Sequence, residues 1–141
     1  VFPPERDRIT CEWLHDQEQS DSNCCLAQNG AEFNLYRSDH PEYFQAITEE
    51  RVIAVDDARK DIRTRSFDRD YLTVQNIHSM LDAPIFDGEQ LSGVVCLESD
   101  TPREWSVPDI SLVAALADTI SLMNTHEAGL RSKRALHFVR R

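Results

Sequence analysis

Hydrophobic and polar positions along the chain follow three periods in a fixed order. From residue 8 to 16, Ile9, Cys11 and Trp13 alternate with Arg8, Thr10 and Glu12, the period of a half-buried strand. The polar run 17–22 reads as a turn and residues 23–28 as a second strand, predicting an N-terminal hairpin with Trp13 opposite Leu26 and His15 opposite Cys24. Asp39-His40-Pro41-Glu42 predicts a helix start, with Asp39 as cap, Pro41 in the first turn and Glu42 as capping-box partner. Tyr43, Phe44 and Ile47 give that helix one apolar face, and it ends near Glu50. Val52-Ile53-Ala54-Val55 is largely β-branched and reads as an interior strand. Ile62, Phe67, Tyr71, Leu72 and Val74 then recur at helical spacings, predicting one or two short crossover helices over 62–77, with Ser66 capping the second.

Residues 79–98 organise the rest. Two apolar runs flank Asp87-Gly88, the signal of a two-residue hairpin turn with φ > 0 at both central positions. Leu91, Val94, Val95, Cys96 and Leu97 make the second run apolar almost throughout, as in a strand covered on both faces. A turn centred on Asp87-Gly88 pairs Asp82 with Gly93, on the face of Met80, Pro84 and Val95; Cys96 then lies on the opposite face with Val94 and Leu81. Ser106-Val107-Pro108-Asp109 starts a long helix. Its stripe is Ile110, Val113, Leu116 or Ala117, Ile120 and Met123, widened by Leu112, Ala115, Thr119 and Leu122. Antiparallel hairpins at both ends with helical crossovers between them predict an α+β domain built on one sheet.

Composition narrows the class. The chain has 141 residues, 40% apolar and 28% charged, which fits one soluble globular domain, and no run is expected to be long enough to span a membrane. No signal-peptide pattern opens the chain, and the missing initiator Met points to a fragment of a longer protein. The net charge is −10, yet residues 131–141 hold five basic groups and no acid, leaving about −15 on the remainder. An acidic body argues against nucleic-acid binding, and the basic tail reads as a solvated helical connector. Cys11, Cys24, Cys25 and Cys96 show no C-x-x-C spacing and read as free thiols in a reducing cytosol.

Taken together, the segments 40–44, 51–58, Tyr71-Leu72 and 79–85 resemble a GAF domain, the small-molecule sensor module of signalling proteins. The resemblance continues through Gly88, Leu91, residues 93–98, Trp105 and the helix from Pro108, and covers roughly residues 8–127. It is nearest to GAF domains upstream of output domains in bacterial histidine kinases and diguanylate cyclases. It implies a central antiparallel sheet of five or six strands, with the terminal helix on one face. Crossover helices 40–50 and 62–77 would form a ligand pocket on the other, and 128–141 would connect to a missing output domain. One departure is visible: the family's leading helix is not found in the seven residues before the first strand, where Pro3-Pro4 cannot sit inside a helix, so that helix is expected either to lie outside the fragment or to be replaced by a partner chain on the back face.

Candidate chemistry is sparse. Asp82 is an acid within an apolar strand, and a buried carboxylate needs partners or a raised pKa. Backbone amides are the commonest partners of side-chain acceptors, so Asp82 is expected to tie down a backbone turn; contact with a pocket ligand is the alternative. Cys96 lacks the neighbouring histidine of bilin-attaching relatives and reads as core. No basic residue except His15 stands near Cys24 and Cys25, so a methionine-sulfoxide-reductase role ranks third and the domain is expected to be non-enzymatic, with no catalytic residues. Of the cyclic-nucleotide pattern, only Phe67 and a general charge pattern around residues 58–61 and 67–70 are present. The five histidines are scattered, so no metal site is expected.

Tyr43, Phe44, Tyr71, His78 and Asp82 are the residues expected to reach a ligand. The resulting expectation is a cytoplasmic regulatory domain that binds an unidentified small molecule, contacts neither nucleic acid nor membrane, and dimerises through its C-terminal helix. The competing reading is a ligand-free dimerisation module with a filled pocket.

Overall fold

The longest strands form where apolar residues are densest. A computed structural model describes residues 8–10, 13–16, 34–127 and 137–140. Along the chain run β1 (Arg8–Thr10), β2 (Trp13–Asp16), β3 (Asn34–Tyr36), α1 (Pro41–Glu49) and β4 (Ile53–Val55). A 3₁₀ turn (Arg65–Phe67) and a π-helical turn (Asp68–Leu72) follow, then β5 (Ser79–Asp87), β6 (Gln90–Ser99), α2 (Val107–Glu127) and β7 (His137–Arg140).

The architecture is α+β, but the described strands form two sheets rather than one. A five-stranded sheet has the order β2-β7-β6-β5-β4, and β1 pairs with β3 in a separate antiparallel ribbon. The larger sheet is mixed, because β7 runs parallel to both β6 and β2. A helix between β6 and β7 is what returns the chain for parallel pairing, and α2 supplies it. The helical expectation for the basic tail therefore fails over His137–Arg140, where Phe138 and Val139 favour a strand. Trp13 pairs with His137; the predicted partner strand 23–28 lies outside the described residues.

The central hairpin forms where predicted but in a different frame. Asp87 pairs with Gln90, so the turn is Gly88-Glu89, with Gly88 at φ +62° as its first central residue. A bulge follows: Phe86 pairs with Leu91 but Ile85 pairs with Gly93, leaving Ser92 as the extra residue. Together the two effects shift β6 by three positions, an odd number, which turns its side chains to the opposite faces. Asp82 thus pairs with Cys96, not Gly93.

Helix starts are also corrected locally. Residue 40 occupies the cap position of α1 without a side-chain cap bond, and Asp39 instead accepts from Ser38 Oγ at 3.0 Å. His40 turns inward, its Nδ1 2.9 Å from Ser66 Oγ and its ring edge-on to Phe67, so Ser66 is a partner of His40 and not a helix cap. Burial lowers the His40 pKa. At α2 the expected box forms: the Asp109 amide donates to Ser106 Oγ and the Ser106 amide to Asp109 Oδ2, each at 3.2 Å.

Among the described strands, β4 is an edge rather than an interior strand. Side chains cap its carbonyls, with Trp105 Nε1 donating to Val55 O at 3.1 Å and Arg63 Nη2 to Ala54 O at 3.2 Å. Such cover blunts an exposed strand edge. Arg63 also pairs with Asp61 at 2.7 Å and Glu50 at 2.9 Å, pinning the crossover loop to the end of α1.

The hairpin is buried on both faces. Leu81, Ala83, Ile85, Val95 and Leu97 point away from the Asp82 face and are covered by α2, which packs chiefly on β5. Ala117 rather than Leu116 lies in the buried stripe, beside Val113; Leu116 and Met123 are exposed. The span Val107–Thr125 is long and apolar enough to cross a membrane by length and composition, against the sequence expectation, although its inner face packs on the sheet.

Candidate functional site

On the other face of the hairpin the π-helical turn, α1 and the β1–β3 ribbon enclose a cavity of about 20 Å³, room for roughly one water. Its polar lining is Tyr43, Tyr71, Asp82, Cys96 and Glu98. Its apolar lining is Ile9, Leu35, Phe67, Met80 and Val94. Each position follows from a local cause. Strand alternation aims Met80 and Asp82 of β5 the same way, and the shifted register brings Val94, Cys96 and Glu98 of β6 alongside them. Ile9 and Leu35 face one another as a ribbon pair. Tyr43 comes from the buried face of α1, and Tyr71 from the π-helical turn, a rare conformation common at functional sites.

The polar groups form two hydrogen-bonded groups that meet at Cys96, whose single thiol proton goes to Asp82. Tyr43 Oη donates to Asp82 Oδ2 at 2.6 Å, and Cys96 Sγ donates to Asp82 Oδ1. Tyr71 Oη donates to Glu98 Oε1 at 2.6 Å, and that same oxygen lies 3.8 Å from Cys96 Sγ. Asp82 and Glu98 are each only 1% exposed. The expectation that Asp82 ties down a backbone turn is overturned, since its partners are a phenol and a thiol on two other elements.

Burial dominates the electrostatics. It pushes the Asp82 carboxyl up to about 6, with the Cys96 and Tyr43 hydrogen bonds acting in the opposite direction. Burial also lifts the Tyr43 hydroxyl and the Cys96 thiol well above their ordinary ranges, and the neighbouring Asp82 charge adds to both. The thiol therefore stays protonated and serves as a donor, not a nucleophile.

Of the residues expected to reach a ligand, Tyr43, Tyr71 and Asp82 line the cavity, whereas Phe44 and His78 do not. Phe44 is buried against Tyr43, with the Arg37 guanidinium 4.8 Å from its ring centre. His78 is held by its backbone between Ser99 O and the Ala58 amide. Cys96 and Glu98 were missed because the predicted register turned both to the α2 face. The signal that places them is the bulge, and no residue type in 85–93 marks it unambiguously. Among the described residues, no group of three or more His, Cys, Asp and Glu is placed to hold a metal ion.

Comparison with known proteins adds one match. The family model described as GAF domain matches residues 7–123. No curated protein matches the chain.

Proposed function

The chain belongs to the GAF domain family, and on that premise we propose that it is a non-enzymatic sensor domain of a cytoplasmic bacterial signalling protein. The family points to a regulatory domain that binds a small molecule. The observation that carries the reading to this chain is the Tyr43–Asp82–Cys96–Glu98–Tyr71 network at the wall of a cavity. Hydrogen-bonding polar groups inside apolar walls are the arrangement by which a pocket fixes a ligand's orientation.

The transmission route follows from what the network joins. Tyr43 belongs to α1, Tyr71 to the crossover, and Asp82 and Glu98 to the hairpin that α2 covers. A ligand that competes for Asp82 or Glu98 would change how those elements pack. The shift would reach α2 through β5, and from there an output domain such as a histidine kinase or diguanylate cyclase beyond residues 128–141. The working form in this reading is a homodimer joined through α2. Mass spectrometry of small molecules released from the purified domain tests the proposal: a stoichiometric compound lost in Tyr43→Phe or Asp82→Asn supports it. A domain that releases nothing and whose melting temperature no candidate metabolite raises would refute it.

One observation favours the second reading, a ligand-free dimerisation module. The cavity as it stands holds about one water. A ligand larger than that requires Met80 or Tyr71 to move.

A further inference from the structure

We propose that the buried network is a proton-sensing site, in which one proton taken up at Asp82 turns the Cys96 thiol from Asp82 to Glu98 and so changes how Tyr71 is held. The inference goes beyond the reading above, because it uses the same network but no small molecule.

Three observations carry it. First, the cavity has room for about one water, so a proton is a signal that it admits without a side chain moving. Second, Asp82 is 1% exposed and its hydrogen-bond partners, Tyr43 and Cys96, are both neutral donors. Burial without a cation favours the uncharged acid and places this carboxyl at about 6, where ordinary carboxyls are ionised. Third, the Cys96 thiol lies between two acids, donating to Asp82 Oδ1 with Glu98 Oε1 3.8 Å from its sulfur. A thiol has one proton and can serve only one of them at a time.

The groups around Asp82 define the two states. In the described lining, β6 presents Cys96 and Glu98, α1 presents Tyr43, the π-helical turn presents Tyr71, and the ribbon presents the apolar Ile9 and Leu35. The edge strand β4 pairs Ile53 with Asp82, and β7 sets Arg140 opposite Glu98 in the register. With Asp82 ionised, its two oxygens accept from Tyr43 Oη and Cys96 Sγ. With Asp82 protonated, Oδ1 carries a hydrogen and donates to the sulfur, and the thiol proton, still on sulfur, turns to Glu98 Oε1. The count balances: one proton enters past Tyr71, the single half-buried residue of the described lining, and none leaves. Glu98 Oε1 then accepts from both Cys96 and Tyr71, which weakens its bond to the phenol. Glu98 and Tyr71 each make a further interaction, so both stay in place. What changes is the strength of the tie between β6 and the π-helical turn.

Carbon NMR of the isotopically labelled domain, titrated from acid to neutral pH, tests the relay. In the wild type the Asp82 carboxyl, assigned through bonds, should titrate at about 6, and the Tyr71 ring resonances should move with the same midpoint. The infrared S–H stretch that disappears in Cys96→Ala should shift over the same interval. Cys96→Ala should leave Asp82 titrating, with its midpoint raised by loss of a donor, while Tyr71 no longer follows; Asp82→Asn should silence both. His40→Gln, which removes the imidazole packed edge-on to Phe67, should leave the Tyr71 response unchanged. The wild-type titration stands even if a variant fails to fold. Asp82 titrating near 3.8, a Tyr71 ring that ignores Asp82, or a Tyr71 response that survives in folded Cys96→Ala would each overturn the proposal. A domain that releases no compound but whose Tyr71 follows Asp82 supports the proton site and refutes the small-molecule reading. A compound released from a domain in which Asp82 titrates near 3.8 does the reverse.

Discussion

Asp82 is the residue on which most of the chemistry turns, and its energetics can be separated from its neighbours'. The unfolded chain titrates this carboxyl near 3.8 and the folded chain near 6, so the folded state holds the proton more tightly. Its contribution to stability is therefore greatest below pH 3.8 and is lost as pH rises through about 6. The loss amounts to about 3 kcal/mol for this group. Asp61 works in the opposite sense, because hydrogen bonding to Arg63 holds its pKa down. Subtracting the stability of Asp82→Asn from that of the wild type cancels such groups. We expect urea unfolding to show this difference moving against the wild type by about 3 kcal/mol across the window. A flat difference would mean that Asp82 is not buried as described. Tyr43→Phe removes one of the two neutral donors and should cost about 2 kcal/mol, more above pH 6 than below it, where the acceptor is no longer charged.

At the level of elements, the hairpin turn decides what the site contains. The sequence predicts Asp87-Gly88 as the central pair of a turn needing two positive φ values; the structure uses Gly88-Glu89, with the positive φ at Gly88. Both frames require glycine at 88, so the turn signal alone could not separate them. Replacing Gly88 by Ala should cost about 1 kcal/mol, from strain alone, since nothing lies near an added Cβ. Asp87→Ala should be near neutral, whereas a turn centred on Asp87-Gly88 would make both positions sensitive; chemical denaturation of the two variants distinguishes the frames. What periodicity makes legible is local: α1, α2, β5 and β6 stand where their residues predict them, and Tyr43, Tyr71 and Asp82 line the cavity that the family resemblance implies. What it missed depends on distant partners. The bulge at Ile85–Phe86, the parallel seat of β7 between β2 and β6, and the edge position of β4 are tertiary outcomes. Cys96 and Glu98 were lost with the register, since an odd shift reverses every side chain of a strand.

Among the described residues, the outer side of α2 is a surface that the fold leaves uncovered. α2 buries Val113 and Ala117 against the sheet, yet Leu112, Leu116 and Met123 on its outer side are 50%, 43% and 51% exposed. With Thr119 they fall at spacings of four, three and four, the repeat of a helix that pairs with another. A helix apolar on both sides is normally covered on both. The choice lies between a second copy and a lipid surface. A net charge of −10 repels the chain from anionic membranes, and the exposed Arg51–Asp118 ion pair keeps a charge pair on α2, where a lipid-embedded helix would carry none. A second copy satisfies both conditions, because two α2 helices related by a twofold axis bring identical stripes together and leave the flanking charges at the rim. Leu116 sits at the middle of the stripe, so Leu116→Glu places two like charges at the centre of the pair. Sedimentation equilibrium should show the wild type as a dimer and Leu116→Glu as a monomer with unchanged circular dichroism. The exposed Ile62→Glu change, away from α2, should leave the dimer intact. A wild type that stays monomeric at high concentration, or that floats with anionic vesicles, would show that the stripe serves something other than a second copy of this chain.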